Sequence, residues 1–344
     1  MVEPNPLPNG HPGSILLFTY PQSVFGHRIR RYLDFRSLPY TLIRVPPNMP
    51  RPLLQLRLGV NYRRIPIMSI GRDVYIDTRL MISKLESLFP EGGLAAKSKF
   101  EAAFEDVLEE FVIDGGPFWR MAGCIPPNAD LMQDPVWVAD REEGSGGAFT
   151  MAALKENRAW SLTQVKVYFG MMEKMLGDGR KWVMGGERVG LAEIHAGWVF
   201  EWGVGMAGEE EDLRRTLSRE EFPNVCAWTE RFREAAEEAG KANQGAGEMQ
   251  EGKGAEDEVV RRILASGYTE ETVLKVDLDD ALGLKAGQRV EVAPADFGFT
   301  HKNEGVLVGL TKDEAVIEID VPGEEDGKLR LHYPRINFKI EAVE

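Results

Sequence analysis

Arg-Arg-Ile-Pro-Ile-Met-Ser-Ile at residues 63–70, followed by Asp-Thr-Arg-Leu-Met-Ile at residues 77–82, is the most informative part of the sequence. It predicts a strand that begins at Pro66, a hairpin into a second strand, and a helix that begins at the Asp-Thr pair. If the peptide bond before Pro66 is cis, the backbone groups of Ile65 turn outward and can pair with a ligand. The unpaired amides at the start of the helix favour an anionic group. Together these features predict a place that holds a small peptide carboxylate.

The residues before this stretch alternate between strand and helix patterns. Residues 14–19 form a short, mostly apolar segment that is typical of a buried strand, and residues 40–45 form a second one. Between them, apolar side chains repeat at the spacing of one helical face, at Phe25, Ile29 and Leu33. The predicted order is therefore strand, helix, strand, helix, strand, strand, helix.

Three short motifs carry a family resemblance: Tyr-Pro-Gln-Ser-Val-Phe at 20–25, Arg-Ile-Pro at 64–66 and Asp-Thr-Arg-Leu at 77–80. In this order they resemble the thioredoxin-like N-terminal domain of the glutathione S-transferases, and the likeness continues into a helical region. The chain looks like a fungal-type member with an extra C-terminal β domain. The resemblance implies a thioredoxin-like, glutathione-binding domain at 14–92 and an all-helical domain, like the C-terminal domain of the family, at 98–240.

Positive charge is concentrated in the first part of the chain. Residues 1–97 carry thirteen Lys and Arg against six Asp and Glu, a net charge of +7, whereas the whole chain has a formal net charge of −14. A basic first domain on an acidic body suits a small anionic ligand better than a nucleic acid, whose backbone needs an extended positive face. We therefore expect no nucleic-acid partner, although solvated arginines on helix faces would give the same pattern.

Cysteines and histidines are few and scattered. Cys124 and Cys226 lie far apart in predicted helices, and the five histidines show no metal-ligand spacing with acids or cysteines. The sequence therefore predicts no metal site. The absence of a long apolar run favours a cytoplasmic location and no membrane partner.

Three helices are predicted after the first domain, over residues 100–113, 151–176 and 191–202. The last one follows Gly190, at a position where the family usually has Ser or Thr. Glycine is a weaker N-cap than these residues by roughly a few tenths of a kcal/mol. The departure weakens the motif without changing the predicted fold.

The residue composition and the hydrophobic pattern change after residue 240. Residues 241–257 contain no aromatic or β-branched residue and predict a linker, and the proline-rich residues 1–13 predict a disordered lead-in. Residues 258–344 predict a short helix and then five short strands, at 273–276, 289–292, 305–309, 315–319 and 329–333. We expect a small antiparallel β-barrel, SH3-like in size. It either moves freely on its linker or, as we favour, packs over the cleft between the first two domains through Phe-Gly-Phe at 297–299.

The resemblance places the catalytic group at the start of the first helix, where Ser23 occupies the position of the family's catalytic Ser or Cys. Its hydroxyl would donate a hydrogen bond to the glutathione thiolate, which is the species that attacks electrophiles. Ser23 could instead only cap the helix. Tyr20 is the second candidate hydroxyl and could equally be a packed aromatic. Cysteine is absent at both Ser23 and Gly26, which argues against thioredoxin-type redox chemistry.

Glutathione is the co-substrate that the resemblance implies. The backbone of Ile65, before Pro66, would pair with the cysteinyl part of glutathione, and Asp77 and Thr78 would hold the amine and carboxylate of its γ-glutamyl part. In the competing interpretation, Asp77 is only a helix N-cap and Pro66 only a feature that the fold requires.

The second substrate would lie against the helical domain, facing Ser23. Four aromatic residues are candidates for this site, and each could instead belong to the core: Phe111, Trp119, Tyr168 and Trp202. We expect a glutathione S-transferase-like enzyme that activates the glutathione thiolate for attack on a hydrophobic small-molecule electrophile. The alternative is a non-catalytic or glutathione-independent protein of the same fold, such as a ligand-binding or scaffold protein, or a lyase or isomerase. The family also implies a homodimer.

Overall fold

The structure is a computed structural model of the 344-residue chain. It describes residues 14–249, 253–270 and 275–343. The predicted lead-in at 1–13 lies outside the described residues, as do residues 273 and 274 of the first predicted C-terminal strand.

Ten strands and eleven helices are found among the described residues. The strands are β1 (Ile15–Thr19), β2 (Tyr40–Arg44), β3 (Ile67–Ile70), β4 (Asp73–Ile76), β5 (Ala246–Met249), β6 (Arg289–Pro294), β7 (Asn303–Leu310), β8 (Glu314–Asp320), β9 (Lys328–Pro334) and β10 (Phe338–Ala342). The helices are α1 (Val24–Phe35), α2 (Thr78–Leu88), α3 (Lys99–Ile113), α4 (Pro117–Ala122), α5 (Asp130–Gln133), α6 (Pro135–Gly144), α7 (Met151–Leu176), α8 (Leu191–Glu209), α9 (Glu211–Thr216), α10 (Pro223–Ala242) and α11 (Lys253–Ala265).

The first part of the chain has the thioredoxin-like arrangement. β1 pairs in parallel with β2 and antiparallel with β3, and β3 forms a hairpin with β4. The helices α1 and α2 cover one face of these strands. This part of the predicted fold class is confirmed. Where the predicted order has a helix between β2 and β3, the chain forms only a short π-helical turn at Leu53–Arg57.

The side chains of β1 alternate between two hydrophobic cores. Ile15 and Leu17 pack with the helices, whereas Leu16 and Phe18 belong to a second core on the opposite face of the sheet. Side chains of α11 and of the strands β6 to β10 complete that second core. We call α11 and β6 to β10 together the C-terminal extension. The extension is therefore packed against the thioredoxin-like domain.

The helices α3 to α10 form the predicted all-helical region, with the buried helix α8 at its centre. Gly190 precedes α8, as predicted, and has no side chain to cap the helix, but Glu193 in the first turn makes the reciprocal half of a capping box. The carboxylate of Glu193 accepts hydrogen bonds from the amides of Gly190 at 3.1 Å and Val183 at 2.6 Å. None of the described helices is both long and apolar enough to cross a membrane.

The predicted SH3-like barrel is not confirmed. The C-terminal strands β6 to β9 pair antiparallel in sequence, and β10 pairs with β6. β9 then pairs in parallel with β4, so the described strands form one continuous sheet in the order β10-β6-β7-β8-β9-β4-β3-β1-β2-β5. The sequence pattern located four of these strands but could not show that β9 would extend the open edge at β4.

The predicted linker at 241–257 is wrong for most of its length: residues 241 and 242 end α10, residues 253–257 begin α11, and residues 246–249 are also structured. Residues 246–249 form β5, which pairs in parallel with β2 at the edge of the sheet. Edge pairing uses backbone hydrogen bonds, so it does not need the apolar side chains whose absence suggested a linker. Just before β5, the buried amide of Asn243 donates to the side chain of Asp34 and to the carbonyl of Leu38, both at 3.1 Å.

Candidate functional site

A cavity of about 630 Å³, the main cavity, lies where the thioredoxin-like domain, the helical region and the C-terminal extension meet. All six residues that the sequence singled out for catalysis or glutathione binding line it: Tyr20, Ser23, Ile65, Pro66, Asp77 and Thr78. They come from the turn after β1, the approach to β3 and the start of α2. The fold thus brings together residues that lie up to 58 positions apart.

Ser23 is the N-cap of α1. Its hydroxyl oxygen accepts a hydrogen bond from the amide of Gly26 at 3.0 Å, and only 4% of the residue is exposed. The hydroxyl proton has no acceptor among the described residues, and the side chain faces the main cavity. The capping role is therefore present in the structure, and it leaves the proton free for a ligand in the cavity.

Tyr20 presents its hydroxyl to the same cavity from the turn after β1. The guanidinium of Arg141 on α6 donates to the Tyr20 oxygen at 3.3 Å and to the carbonyl of Pro47 at 3.2 Å. Arg141 in turn lies over the ring of Trp137, 4.8 Å from its centroid. The second candidate hydroxyl is thus held by a cation from the helical region.

The backbone before Pro66 is open to the cavity. The Ile65–Pro66 peptide bond is cis, and the pairing of β1 with β3 begins only at Ile67. Within the described part of the chain, the amide and the carbonyl of Ile65 form no hydrogen bond. Because these two groups line an open cavity, they are available to an extended peptide.

Asp77 caps α2 in a strained conformation. Its φ is 70° and its ψ is 138°, and its carboxylate accepts from the amide of Arg79 at 3.0 Å. A residue other than glycine in this region costs about 1 to 3 kcal/mol and persists only when its surroundings hold it there. Ion pairs with Arg79 at 3.4 Å and Arg64 at 3.9 Å do so here.

Thr78 is linked to the helical region by a residue that the sequence analysis missed. The buried guanidinium of Arg28 on α1 donates to the Thr78 hydroxyl oxygen at 2.8 Å and to the carbonyl of Ile194 on α8 at 3.1 Å. Arg28 also forms an ion pair with Glu109 on α3. Burial raises the pKa of Glu109, but the charges of His195 and Arg28 outweigh it and hold that pKa well below its usual range. In the sequence, the only sign of this network is an arginine on the buried face of the amphipathic helix α1.

The C-terminal extension supplies part of the cavity wall, at the loop that follows β6. Arg64 forms an ion pair with Asp296 and donates to the carbonyl of Phe297 at 2.8 Å. The Phe297 ring lies 5.0 Å from the guanidinium carbon of Arg63 and 6.5 Å from the ring of Trp119. The favoured packing of this loop over the cleft therefore agrees with the position of Phe297. Asp296 was not singled out from the sequence.

The helical side of the main cavity is apolar. Of the four aromatic candidates, Trp119 and Trp202 line it. Phe111 and Tyr168 do not; they pack against each other at 5.8 Å, and the Tyr168 hydroxyl donates to the carbonyl of Gly115 at 3.3 Å. Further apolar lining residues that the sequence did not indicate include Phe118, Ile125, Leu131, Met132, Trp137, Phe149 and Met206.

Residues 17–93 match the family described as the glutathione S-transferase N-terminal domain. This match covers less than a quarter of the chain, and it identifies residues 17–93 as a glutathione S-transferase N-terminal domain. Residues 120–241, in the helical region, match a second family that is described only as a domain of unknown function. No curated protein gives a significant match.

Two solved structures are similar to this chain in fold. A GST-like protein from Pseudomonas syringae has a TM-score of 0.70 at 18% identity, over 96% of this chain and 100% of that chain. This likeness includes most of the C-terminal extension. The β-etherase LigF from Sphingobium sp. strain SYK-6 has a TM-score of 0.51 at 17% identity, over 66% of this chain and 99% of that chain.

One group of described residues could hold a metal ion: Glu270, Glu314 and His332. None of them lines the main cavity. The ammonium of Lys84 lies 2.8 Å from Glu270 and 2.7 Å from Glu314, so a cationic side chain already occupies the space between the two carboxylates. This group is therefore an ion-pair network at the junction of α2 with the extension.

The two cysteines are buried and free. Burial raises the pKa of the Cys124 thiol to about 12. A thiol with such a pKa carries almost no thiolate at neutral pH, so it is a poor nucleophile. Neither Cys124 nor Cys226 lines the main cavity.

Proposed function

We propose that this chain is a glutathione S-transferase-like enzyme that binds glutathione and activates its thiolate for attack on a hydrophobic small-molecule electrophile. The observation that carries the proposal is that the open backbone of Ile65, the capped start of α2 and the hydroxyl of Ser23 face one cavity whose other side is apolar. A peptide thiol and an apolar partner can therefore meet within it. We extend the proposal to a cytoplasmic enzyme.

The peptide end of the cavity supports the binding of glutathione. The amide and carbonyl of Ile65 would form antiparallel hydrogen bonds with the cysteinyl residue. The Thr78 hydroxyl oxygen accepts from Arg28, so its proton can be donated to the γ-glutamyl carboxylate. The same carboxylate would lie at the N-terminus of α2, where backbone amides and the helix dipole favour negative charge.

Ser23 supports the chemical step. Its hydroxyl would donate a hydrogen bond to the sulfur, which favours the thiolate over the thiol. Lowering the thiol pKa by about two units requires ~2.7 kcal/mol of differential stabilisation. One charge-assisted hydrogen bond together with the N-terminus of α1 can supply this amount. The thiolate then attacks the electrophilic atom of the second substrate, and a carbon–sulfur bond forms as the leaving group departs with its electron pair.

The lining of the helical side supports an apolar second substrate. Its aromatic and aliphatic side chains match an apolar molecule, and three carboxylates stand among them, on Asp130, Asp134 and Glu209. The guanidinium of Arg141, also from the helical region, lines the same cavity, so the lining carries charges of both signs.

The proposal is tested by retention of the protein on immobilised glutathione and by conjugation of glutathione to chlorodinitrobenzene. Retention together with turnover supports the enzyme. Retention without turnover, across a panel of neutral aromatic electrophiles, favours the second candidate, a ligand-binding protein in which Ser23 only caps α1. Binding of apolar ligands without any binding of glutathione would refute the glutathione site itself.

We also propose a homodimer. Large apolar side chains are exposed along two helices, at Phe100 and Val107 on α3 and at Trp160, Val167 and Met171 on α7. Such residues are candidates for contact with a second copy. Sedimentation equilibrium tests this proposal, since a species of twice the 38.5 kDa chain mass is expected.

A further inference from the structure

The loop between β6 and β7 is fixed in place by three contacts. The amide of Ala295 donates to the carbonyl of Asn337 at 2.8 Å, next to β10. The amide of Gly298 donates to the carbonyl of Gly144 at 2.6 Å, and the Thr300 hydroxyl donates to Glu143 at 2.7 Å, both at the end of α6. Asp296 lies between these anchors, so its position at the cavity does not depend on a ligand.

Asp296 faces Asp77 across a single arginine. The guanidinium of Arg64 forms an ion pair with Asp296 and lies 3.9 Å from the carboxylate of Asp77. Both aspartates line the main cavity, and the Asp296 side chain is 33% exposed. One cation is thus shared by two carboxylates that border the same open space.

The charged residues next to Asp77 and Asp296 do not neutralise these two carboxylates. Arg79 pairs with Asp77 at 3.4 Å, with Glu110 at 2.9 Å and with Asp114. Two guanidiniums, those of Arg64 and Arg79, therefore face four carboxylates. Burial, together with the neighbouring acids Glu109 and Asp114, raises the pKa of Glu110 to about 7 despite the opposing charge of Arg79. This end of the cavity has an excess of negative charge.

A cation from the ligand would neutralise that excess. The same end of the cavity offers donors for a carboxylate, at the Thr78 hydroxyl and the N-terminus of α2. A group that carries an ammonium and a carboxylate on one carbon fits both features, and an ammonium has three donors to share between two carboxylates.

We propose that Asp296 of the C-terminal extension and Asp77 together bind the α-ammonium of the γ-glutamyl residue of glutathione. This inference rests on the proposed function, because it names glutathione as the ligand. It makes the extension part of the peptide-binding site of its own chain.

The test compares two ligands on the full-length protein by titration calorimetry: glutathione, and the analogue that lacks the α-amino group, glutaryl-cysteinyl-glycine. D296N should weaken the binding of glutathione by about tenfold or more, as expected for the loss of a charged hydrogen bond. It should leave the affinity for the analogue unchanged. The matched control is D326N, which changes an exposed aspartate in the turn between β8 and β9. This variant should bind both ligands as the unmodified protein does.

Each other outcome overturns a stated claim. If D296N binds glutathione normally, or loses both ligands to the same degree, Asp296 does not bind the ammonium, although the proposed function stands. If the unmodified protein binds neither ligand, the proposed function fails and this inference fails with it. Should D296N not fold, D296E decides the matter, because a retained carboxylate must keep a preference for glutathione over the analogue.

Discussion

The imidazole of His332 on β9 lies 3.0 Å from the carboxylate of Asp73 on β4, at the line where the extension joins the thioredoxin-like strands. Both residues are fully buried. The carboxylate of Glu314 on β8 lies 3.2 Å from the other ring nitrogen, and Glu270 lies 3.7 Å from it. Burial lowers the pKa of His332, but the hydrogen bonds to Asp73 and Glu314 outweigh this effect and raise the pKa above its usual value of 6.5.

This junction makes stability depend on pH. Because the folded-state pKa of His332 is raised, its contribution is complete below about pH 6.5 and is lost as the pH rises through the folded-state pKa. At pH 6, H332Q should lower the free energy of unfolding by roughly 3 to 5 kcal/mol, since it leaves buried carboxylates without their partner. Urea unfolding at pH 6 and pH 9 measures the effect, which should shrink at pH 9. The half-buried His301 gives the control H301Q, and an equal cost of H332Q at both pH values would contradict the prediction.

Replacement of Ser23 by alanine separates chemistry from capping. S23A should lower kcat by about ten- to a thousandfold and leave glutathione affinity nearly unchanged, because the hydroxyl acts on the thiolate rather than on the peptide. It should also lower stability by about 1 kcal/mol through the lost cap. Ser98 caps α3 in the same way, accepting from the amide of Glu101 at 3.2 Å, and it does not line the main cavity. S98A therefore controls for the cap, and full activity in S23A would transfer the catalytic role to Tyr20.

Replacement of Asp77 should have the opposite signature. D77A is expected to weaken glutathione binding by about 1 to 3 kcal/mol through a lost charged hydrogen bond. D77N keeps an oxygen that can cap α2 but loses the charge and its ion pairs, so it should regain only part of the thermal stability that D77A loses, without regaining affinity. Calorimetry and thermal melts of both variants make this comparison. Equal affinities of D77N and the unmodified protein would show that the charge at this position does not contact the ligand.

Cleavage before α11 tests whether the extension is an integral part of the fold. With a protease site introduced at residues 250–252, the two fragments should co-elute from gel filtration after cleavage, because Leu16 and Phe18 share a core with the extension and β9 pairs with β4. A chain that ends near Gly240 should then be insoluble or unfolded. Fragments that separate without denaturant would contradict the packed arrangement and support a free domain.

The local patterns of the sequence were enough to predict the thioredoxin-like domain and the residues around Pro66. Strand and helix periods, a proline at the start of a strand and a capping Asp-Thr pair are properties of neighbouring residues. That the six site residues would lie close together could be predicted only from the family resemblance, because the fold of the family sets their proximity.

Contacts between distant parts of the chain could not be predicted in this way. Arg28 and His195 are 167 positions apart, and no local pattern joins them. β5 has the composition of a linker and pairs through its backbone alone. The extension was predicted to close on itself as a barrel, because a strand pattern does not show whether the partner of β9 lies in the same domain or at β4.

The order of the strands in the sheet also determines how late in synthesis the fold can be completed. β1 to β4 are made first, but the edge of β4 is covered only by β9, and the core on one face of β1 is completed only by α11 and β6 to β10. A ribosome that adds about 5 to 20 residues per second exposes that edge and face for at least ten seconds. We expect the nascent chain to need protection by chaperones over this interval, and late truncations to be as damaging as early ones.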